Sequence, residues 1–391
     1  MNADIIPILK ENKSFCILPF IHLHVNEKNN IKLCCIADVK ETEILGQYTQ
    51  DFDFNTNTRF QEIRRAMLAG ERVSMCTSCY EYEDQGAKSS RIWDTQDWFQ
   101  LLNITTIEEV PTELMYYDIR NDNLCNLSCR MCNPTFSSQI QKEYATIPGW
   151  KFDEAPMSFG LNDVVDIDTV KKVYVAGGEP TLMPQFRKFL KRAIDAGRTD
   201  IHIRINTNAT NVNKEFRDLL SQFTQVEAVV SVDGFDQVNK YIRWPSDWPT
   251  WVENVHALLK ITPNVSFNIT ISIWNISSLS KLIEFISAEF PKITPLLNRV
   301  YGQPGWLFTT FPNKELAIED LKKLRKYYKY DLTYRQKVEF YINEMQNSTV
   351  DLVALQDFFK YNDTLDKSRG IHLGDYIPEL EACRALITNQ T

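Results

Sequence analysis

The chain has 391 residues, 43% hydrophobic and 12% aromatic, so it carries enough apolar surface for a core and is not a mainly disordered chain. At roughly 150 residues per domain, that length suggests two or three structural units. With 43 basic against 51 acidic residues the net charge is −8, which argues against a nucleic-acid binder held by phosphate contacts. The N-terminal stretch MNADIIPILKENKSF lacks a basic region followed by an apolar core, and no apolar run approaches the roughly 18 residues of a spanning helix. The expectation is a soluble, cytoplasmic protein without membrane or nucleic-acid partners. Nine cysteines, an odd number in two short-spaced clusters, argue against a disulfide framework and make metal or cluster ligation the leading reading.

In chain order, residues 1–100 are cysteine-rich and irregular. Ile21–Val25 alternates like a strand, Asn29-Asn30 reads as a turn, and Ile31–Leu33 reads as the return strand. A helix is predicted near residues 58–70, with Phe60, Ile63, Met67 and Leu68 on one face, leading into Cys76 and Cys79. Residues 113–310 then alternate strands and helices. The predicted strands are Met115–Arg120, Val173–Ala176, Ile201–Asn206, Ala228–Asp233, Val265–Ile271 and Asn298–Tyr301. The predicted helices between them include Pro184–Ala196, Lys214–Phe223 and one carrying Leu279, Leu282, Ile283 and Ile286. Six strands alternating with helices imply a parallel sheet, open or closed into a barrel. Residues 313–391 read as mostly helical, and the basic run Lys314–Lys329 as a solvated helix face.

The run from Leu124 to Cys132 places Cys125, Cys129 and Cys132 in a C-x3-C-x2-C spacing directly after the first of these strands. Thiolates are soft ligands suited to iron–sulfur clusters and zinc. Three of them can hold three irons of a cubane and leave the fourth open to a small molecule; a zinc knuckle or buried free thiols are the plainer readings. Val175-Ala176-Gly177-Gly178-Glu179-Pro180 ends the second strand, on the side where ligands of strand–helix folds bind. Its glycines allow close approach to the backbone, and Glu179 offers a carboxylate to an ammonium group. An ordinary strand-to-helix turn would look the same.

Together the two motifs resemble the radical S-adenosylmethionine (SAM) superfamily, over roughly residues 113–310. The resemblance implies a partial (β/α)6 barrel. It implies that Cys125, Cys129 and Cys132 hold a [4Fe–4S] cluster, and that SAM chelates the open iron with its amino group bound by Gly177, Gly178, Glu179 and Pro180. Reductive cleavage of SAM would then yield a 5′-deoxyadenosyl radical that abstracts a substrate hydrogen. The family often has an aromatic residue before the third cysteine; here it is Met131, whose thioether can cover the cluster or the adenine. Asn208 and Ser231, at the ends of the third and fourth strands, resemble positions lining the SAM pocket and are candidates for its ribose. Arg243 is a candidate for SAM's carboxylate or the substrate, with an exposed surface arginine the favoured reading.

Cys16, Cys34, Cys35, Cys76 and Cys79 form the second set. A C-x2-C joined to a distant hairpin cysteine is shared by zinc ribbons and iron–sulfur sites. The stretch from Cys16 to Cys79 resembles the SPASM/Twitch auxiliary-cluster modules of radical SAM enzymes, although such modules usually follow the barrel. That resemblance implies an auxiliary [4Fe–4S] cluster on Cys16, Cys34, Cys76 and Cys79. Cys35, next to Cys34 on a strand, would point the other way as a core thiol, and Cys383 reads as a packed thiol, with either a substitute ligand if one of the four does not serve. The expected organisation is an auxiliary module over 1–100, a radical SAM partial barrel over 113–310 and a helical region over 311–391. The expected function is radical modification of a peptide or protein, with a low-potential electron donor such as flavodoxin or ferredoxin. The alternatives are a radical SAM oxidoreductase or epimerase acting on a small molecule, and a zinc-binding interaction protein.

Overall fold

The computed structural model describes residues 6–37, 44–84, 88–120, 122–152 and 160–388. Residues 1–5 of the N-terminal stretch, and 389–391 at the other end, lie outside the described residues. The strands are β1 (His22–Val25), β2 (Asn30–Lys32), β3 (Gly46–Gln47), β4 (Tyr116–Ile119), β5 (Ser128–Cys129), β6 (Lys172–Val175), β7 (His202–Thr207), β8 (Val226–Ser231), β9 (Arg243–Trp244), β10 (Val265–Ile271) and β11 (Leu296–Arg299). The main helices are α1 (Thr58–Leu68), α2 (Thr77–Asp84), α3 (Ser90–Leu102), α4 (Ser138–Thr146), α5 (Pro184–Asp195), α6 (Lys214–Leu220), α7 (Trp248–Leu259), α8 (Leu279–Glu289), α9 (Lys314–Lys323), α10 (Leu332–Asn347) and α11 (Leu352–Arg369).

Among the described residues nine strands form one sheet in the order β11-β10-β8-β7-β6-β4-β1-β2-β3. All pairs from β11 to β1 are parallel, and the β1–β2–β3 end is antiparallel. The six predicted strands are β4, β6, β7, β8, β10 and β11. The predicted hairpin is β1–β2, with Asn29 at φ +60° in its turn. Its placement was not foreseen: β1 lies parallel to β4, from His22 opposite Tyr116 to Val25 opposite Ile119. The cysteine-rich region therefore continues the main sheet and covers what would otherwise be an open edge at β4.

Register sorts the side chains into two faces. Val25, Ile119, Val175, Ile205 and Ala228 form one row across five strands, and all are fully buried. Phe186 and Phe189 of α5, Phe216 of α6 and Leu282 of α8 belong to the same core. Full burial of each such side chain stabilises the fold by about 1.5–3 kcal/mol. The adjacent row on the other face is polar: His24, Asp118, Tyr174, Arg204 and Glu227. Capping residues start several helices, with Asn213, Asp247 and Asp351 each accepting a backbone amide of the first turn. The predicted basic helix from Lys314 stops at Lys323, followed by a single 3-10 turn over Leu324–Lys326. No helix among the described residues is long and apolar enough to cross a membrane.

Candidate functional site

Cys125, Cys129 and Cys132 all line one cavity of about 480 Å³. Gly177, Gly178 and Glu179 after β6, Asn208 after β7 and Ser231 at the end of β8 line the same cavity. These positions are the carboxyl ends of parallel strands, where ligands of such sheets bind. Pro180 starts a buried turn behind Glu179 and is not in the wall. The cysteine loop is held by its own backbone: Cys129 pairs with Arg243 in the β5–β9 ladder, and the Cys132 amide donates to the Cys129 carbonyl at 3.0 Å.

The two glycines have a more specific role than ligand access. Gly177 sits at φ +116°. A Cβ on Gly178 would lie 2.3 Å from the Leu124 carbonyl oxygen. The amides of Gly178 and Glu179 donate to the carbonyls of Asp122 and Leu124, at 3.0 and 2.7 Å. The Gly-Gly turn is thus pressed against the segment that leads into the cysteines.

Glu179 is buried, and its carboxylate accepts from the Thr207 hydroxyl (2.6 Å) and from the amides of Asn208 (2.6 Å) and Thr181 (3.2 Å). Burial pushes its carboxyl up from the usual range, and those three donors oppose the shift. A carboxylate has about four acceptor sites, so three are already committed within the protein. Asn208 is similarly engaged, donating to Asn126 Oδ1 at 3.0 Å, with its Nδ2 3.9 Å from Cys125 Sγ. The expectation of an exposed Arg243 is overturned. The guanidinium ion-pairs with Asp233 at 2.6 Å in the cavity wall, because β9 pairs with the cysteine strand.

Burial pushes all three thiols up, Cys125 to about 12. Buried thiols ionise readily only when a cation joins them, as metal ligation provides. Three soft donors on a polar cavity with room beyond them fit a [4Fe–4S] cluster and a small co-ligand. Arg120, Asn268, Thr270, Asn298 and Arg299 also line this cavity and were not singled out from the sequence. Alternating polar residues near the end of β10 were a usable signal for Asn268 and Thr270.

Residues 123–286 match the family model of the Radical SAM superfamily. This segment is similar to radical SAM domains. No curated protein matches the chain. Among solved structures it is similar to anSMEcpe with bound AdoMet (14% identity, TM-score 0.41, 54% of this chain and 59% of that one). It is also similar to Streptococcus suis SuiB bound to S-adenosylmethionine (15% identity, TM-score 0.38, 73% of this chain and 64% of that one). The chain therefore spans about 60% of the length of these structures.

A C-terminal helix grips the cysteine loop. Arg130, between Cys129 and Met131, is fully buried. Its guanidinium pairs with Asp366 of α11, donates to Asn362 Oδ1 (3.0 Å) and the Tyr241 carbonyl (2.9 Å), and stacks 3.5 Å from the Tyr241 ring centre. From the same helix, Tyr361 donates to the Arg130 carbonyl and Arg369 to the Ser128 carbonyl, each at 2.8 Å. Sequence reasoning missed this clamp, whose α11 partners lie more than 200 residues from the cysteine loop.

The second cysteine set lines a cavity of about 50 Å³: Cys16, Cys34, Cys35, Cys76 and Cys79. Cys16 precedes the short helix Leu18–Ile21, Cys34 and Cys35 follow β2, Cys76 ends a 3-10 turn and Cys79 lies in α2. Cys35 is not a core thiol: it is exposed and shares the wall with the others. The expected alternation fails because β2 ends at Lys32, so the cysteine pair lies beyond the pleat. Burial pushes the Cys16 and Cys34 thiols up. Buried Arg91, unforeseen from the sequence, adds a positive charge to the wall and is held by Glu83 at 2.9 Å and by the Phe15 carbonyl. His22 is also in this wall, kept neutral by burial, which lowers it to about 4. Cys383 is buried in the C-terminal region and lines neither cavity. Among the described residues no three His, Cys, Asp or Glu side chains are grouped as for a single metal ion.

Proposed function

We propose that the chain is a radical SAM enzyme in which Cys125, Cys129 and Cys132 hold a [4Fe–4S] cluster and the adjoining cavity takes SAM. The observation that carries this reading is the meeting of three thiols and the Gly177–Glu179 turn in one cavity of about 480 Å³, within the segment that matches the family. When bound by Cys125, Cys129 and Cys132, the cluster would supply the electron for reductive cleavage of SAM, and the hydrogen-abstracting radical chemistry would follow from that. The chain's own residues bind and orient. The Gly177–Glu179 turn receives SAM's amino group, with Pro180 behind it shaping the turn. Asn208 and Ser231 face its ribose. Arg243, steadied by Asp233, meets a carboxylate. The α11 helix holds the cysteine loop in place and helps keep water from the site.

In this reading residues 1–100 are a SPASM/Twitch-like module whose Cys16, Cys34, Cys76 and Cys79 hold an auxiliary [4Fe–4S] cluster, with Cys35 able to replace one of them. Residues 113–310 act as the partial barrel and 311–391 as its helical cover. The substrate is a peptide or protein, a choice supported by the resemblance of the N-terminal cysteine pattern to auxiliary-cluster modules. A flavodoxin or ferredoxin supplies electrons in the cytoplasm. The test is iron and acid-labile sulfide per chain after anaerobic reconstitution, with 5′-deoxyadenosine formation under reductant. About eight irons with 5′-deoxyadenosine support both clusters. About four irons remove the auxiliary cluster. Zinc in place of iron, with no SAM cleavage, overturns the reading in favour of a zinc-binding interaction protein.

A further inference from the structure

A second cleft, of about 550 Å³, begins at Cys132, which lines it as well as the cysteine cavity. The loop after β11 continues from one to the other: Tyr301 lines the first, Gln303 to Trp306 the second. The floor is formed where this loop meets α11. A Cβ on Gly305 would lie 2.4 Å from the Ala354 carbonyl oxygen, so only glycine lets the two backbones approach this closely.

Two features mark the wall. First, it is aromatic. Trp150 stacks parallel to Tyr361 (5.7 Å between centres, 7°), Tyr144 meets Trp150 edge-on at 4.4 Å, and Trp306 lies 5.6 Å from Tyr361. Second, its only charged side chains are Asp351 and Asp357, with no lysine or arginine among the described residues that line it. Asp351 caps α11 through the Ala354 amide, so Asp357, exposed further along that helix, is the carboxylate facing the cleft without a structural duty of its own. In the wall, Val353 is 70% exposed, leaving apolar surface in water at the opening.

Aromatic faces attract cations, and a wall that is acidic and without a basic residue among those described adds to that field. A small hydrated ion would gain little from so much apolar wall. A lysine or arginine side chain matches both features, with an apolar stem for the rings and a charged head for Asp357. We propose that this cleft binds a lysine or arginine side chain of the peptide on which the radical SAM domain acts, and so selects where on that peptide hydrogen is taken. The inference rests on the peptide reading above and adds a sequence preference to it.

The test is calorimetric binding of blocked tripeptides, acetyl-Gly-X-Gly-amide, to the full-length reconstituted protein with SAM present. X is lysine, arginine, norleucine or glutamate. Lysine or arginine should bind about tenfold more tightly than norleucine, which keeps the stem and lacks the charge. Asp357→Asn should remove that preference, and Asp357→Lys should turn it toward glutamate. Asp357 is exposed, so neither change threatens folding. Equal binding of lysine and norleucine, no binding of any probe, or a preference unchanged in Asp357→Asn overturns the inference. Failure of the underlying reading looks different: the unaltered protein would form no 5′-deoxyadenosine, whichever tripeptide it binds.

Discussion

Cys125, Cys129 and Cys132 come from eight consecutive residues of one loop, whereas Cys16, Cys34, Cys76 and Cys79 are spread over 64 residues and four local structures. The first set faces a cavity of about 480 Å³ shared with polar strand ends, the second a cavity of about 50 Å³. Room beside the ligands is what a site needs in order to take a co-ligand and react; a closed site holds structure or passes charge. The difference also concerns folding. A centre that joins distant cysteines closes long loops, so its binding free energy becomes folding free energy. A centre on one loop adds little to the fold and mainly supplies chemistry.

The comparison can be broken at either site. Replacing Cys125, Cys129 and Cys132 together with alanine should abolish 5′-deoxyadenosine formation and remove about four irons per chain, with little change in Tm. Residual SAM cleavage would end the assignment of the open site. Replacing Cys76 and Cys79 should also remove about four irons, yet leave some SAM cleavage while substrate conversion is lost and Tm falls. Normal turnover by that variant would show that the closed site has no such role. Asp366→Asn leaves Arg130 buried without its counter-charge and should cost about 3–5 kcal/mol in urea unfolding. It should also loosen iron from the open site, and a variant that keeps both its stability and its iron would show that the α11 clamp is idle. The smallest effect is expected at Gly178. Gly178→Ala should cost about 1–3 kcal/mol by crowding the Leu124 carbonyl, and should weaken SAM binding measured by calorimetry. Gly197→Ala is the control: Gly197 sits at positive φ (+71°), which adds its own backbone strain, but nothing lies within 4 Å of the added Cβ, so SAM binding should not change.

Much of the main sheet was legible because period-2 alternation is a local signal. β10 matches its predicted limits, Val265–Ile271, at both ends. β8 was predicted to run to Asp233 but ends at Ser231, where the Asp233 amide turns to donate to the Asn239 side chain. Helix faces such as Phe186, Phe189 and Leu190 were equally local. The Cys125–Cys132 spacing and the Gly177–Glu179 turn could be read for the same reason, since each is a short run beside one strand. Their meeting in one cavity could be expected only through a family resemblance. Arg243 was misjudged because its neighbour across the β5–β9 ladder is more than 100 residues away.

By itself the sequence determined which segments become strands and helices, which faces turn apolar, and where soft ligands stand close together along the chain. These follow from side-chain periodicity and spacing, which act over a few residues. Only the tertiary structure decided that β1 extends the parallel sheet beside β4, that Cys35 joins the other four cysteines in one small cavity, and that α11 reaches Arg130. Those outcomes depend on pairing, burial and charge between residues far apart in the chain, where no local pattern records the partner.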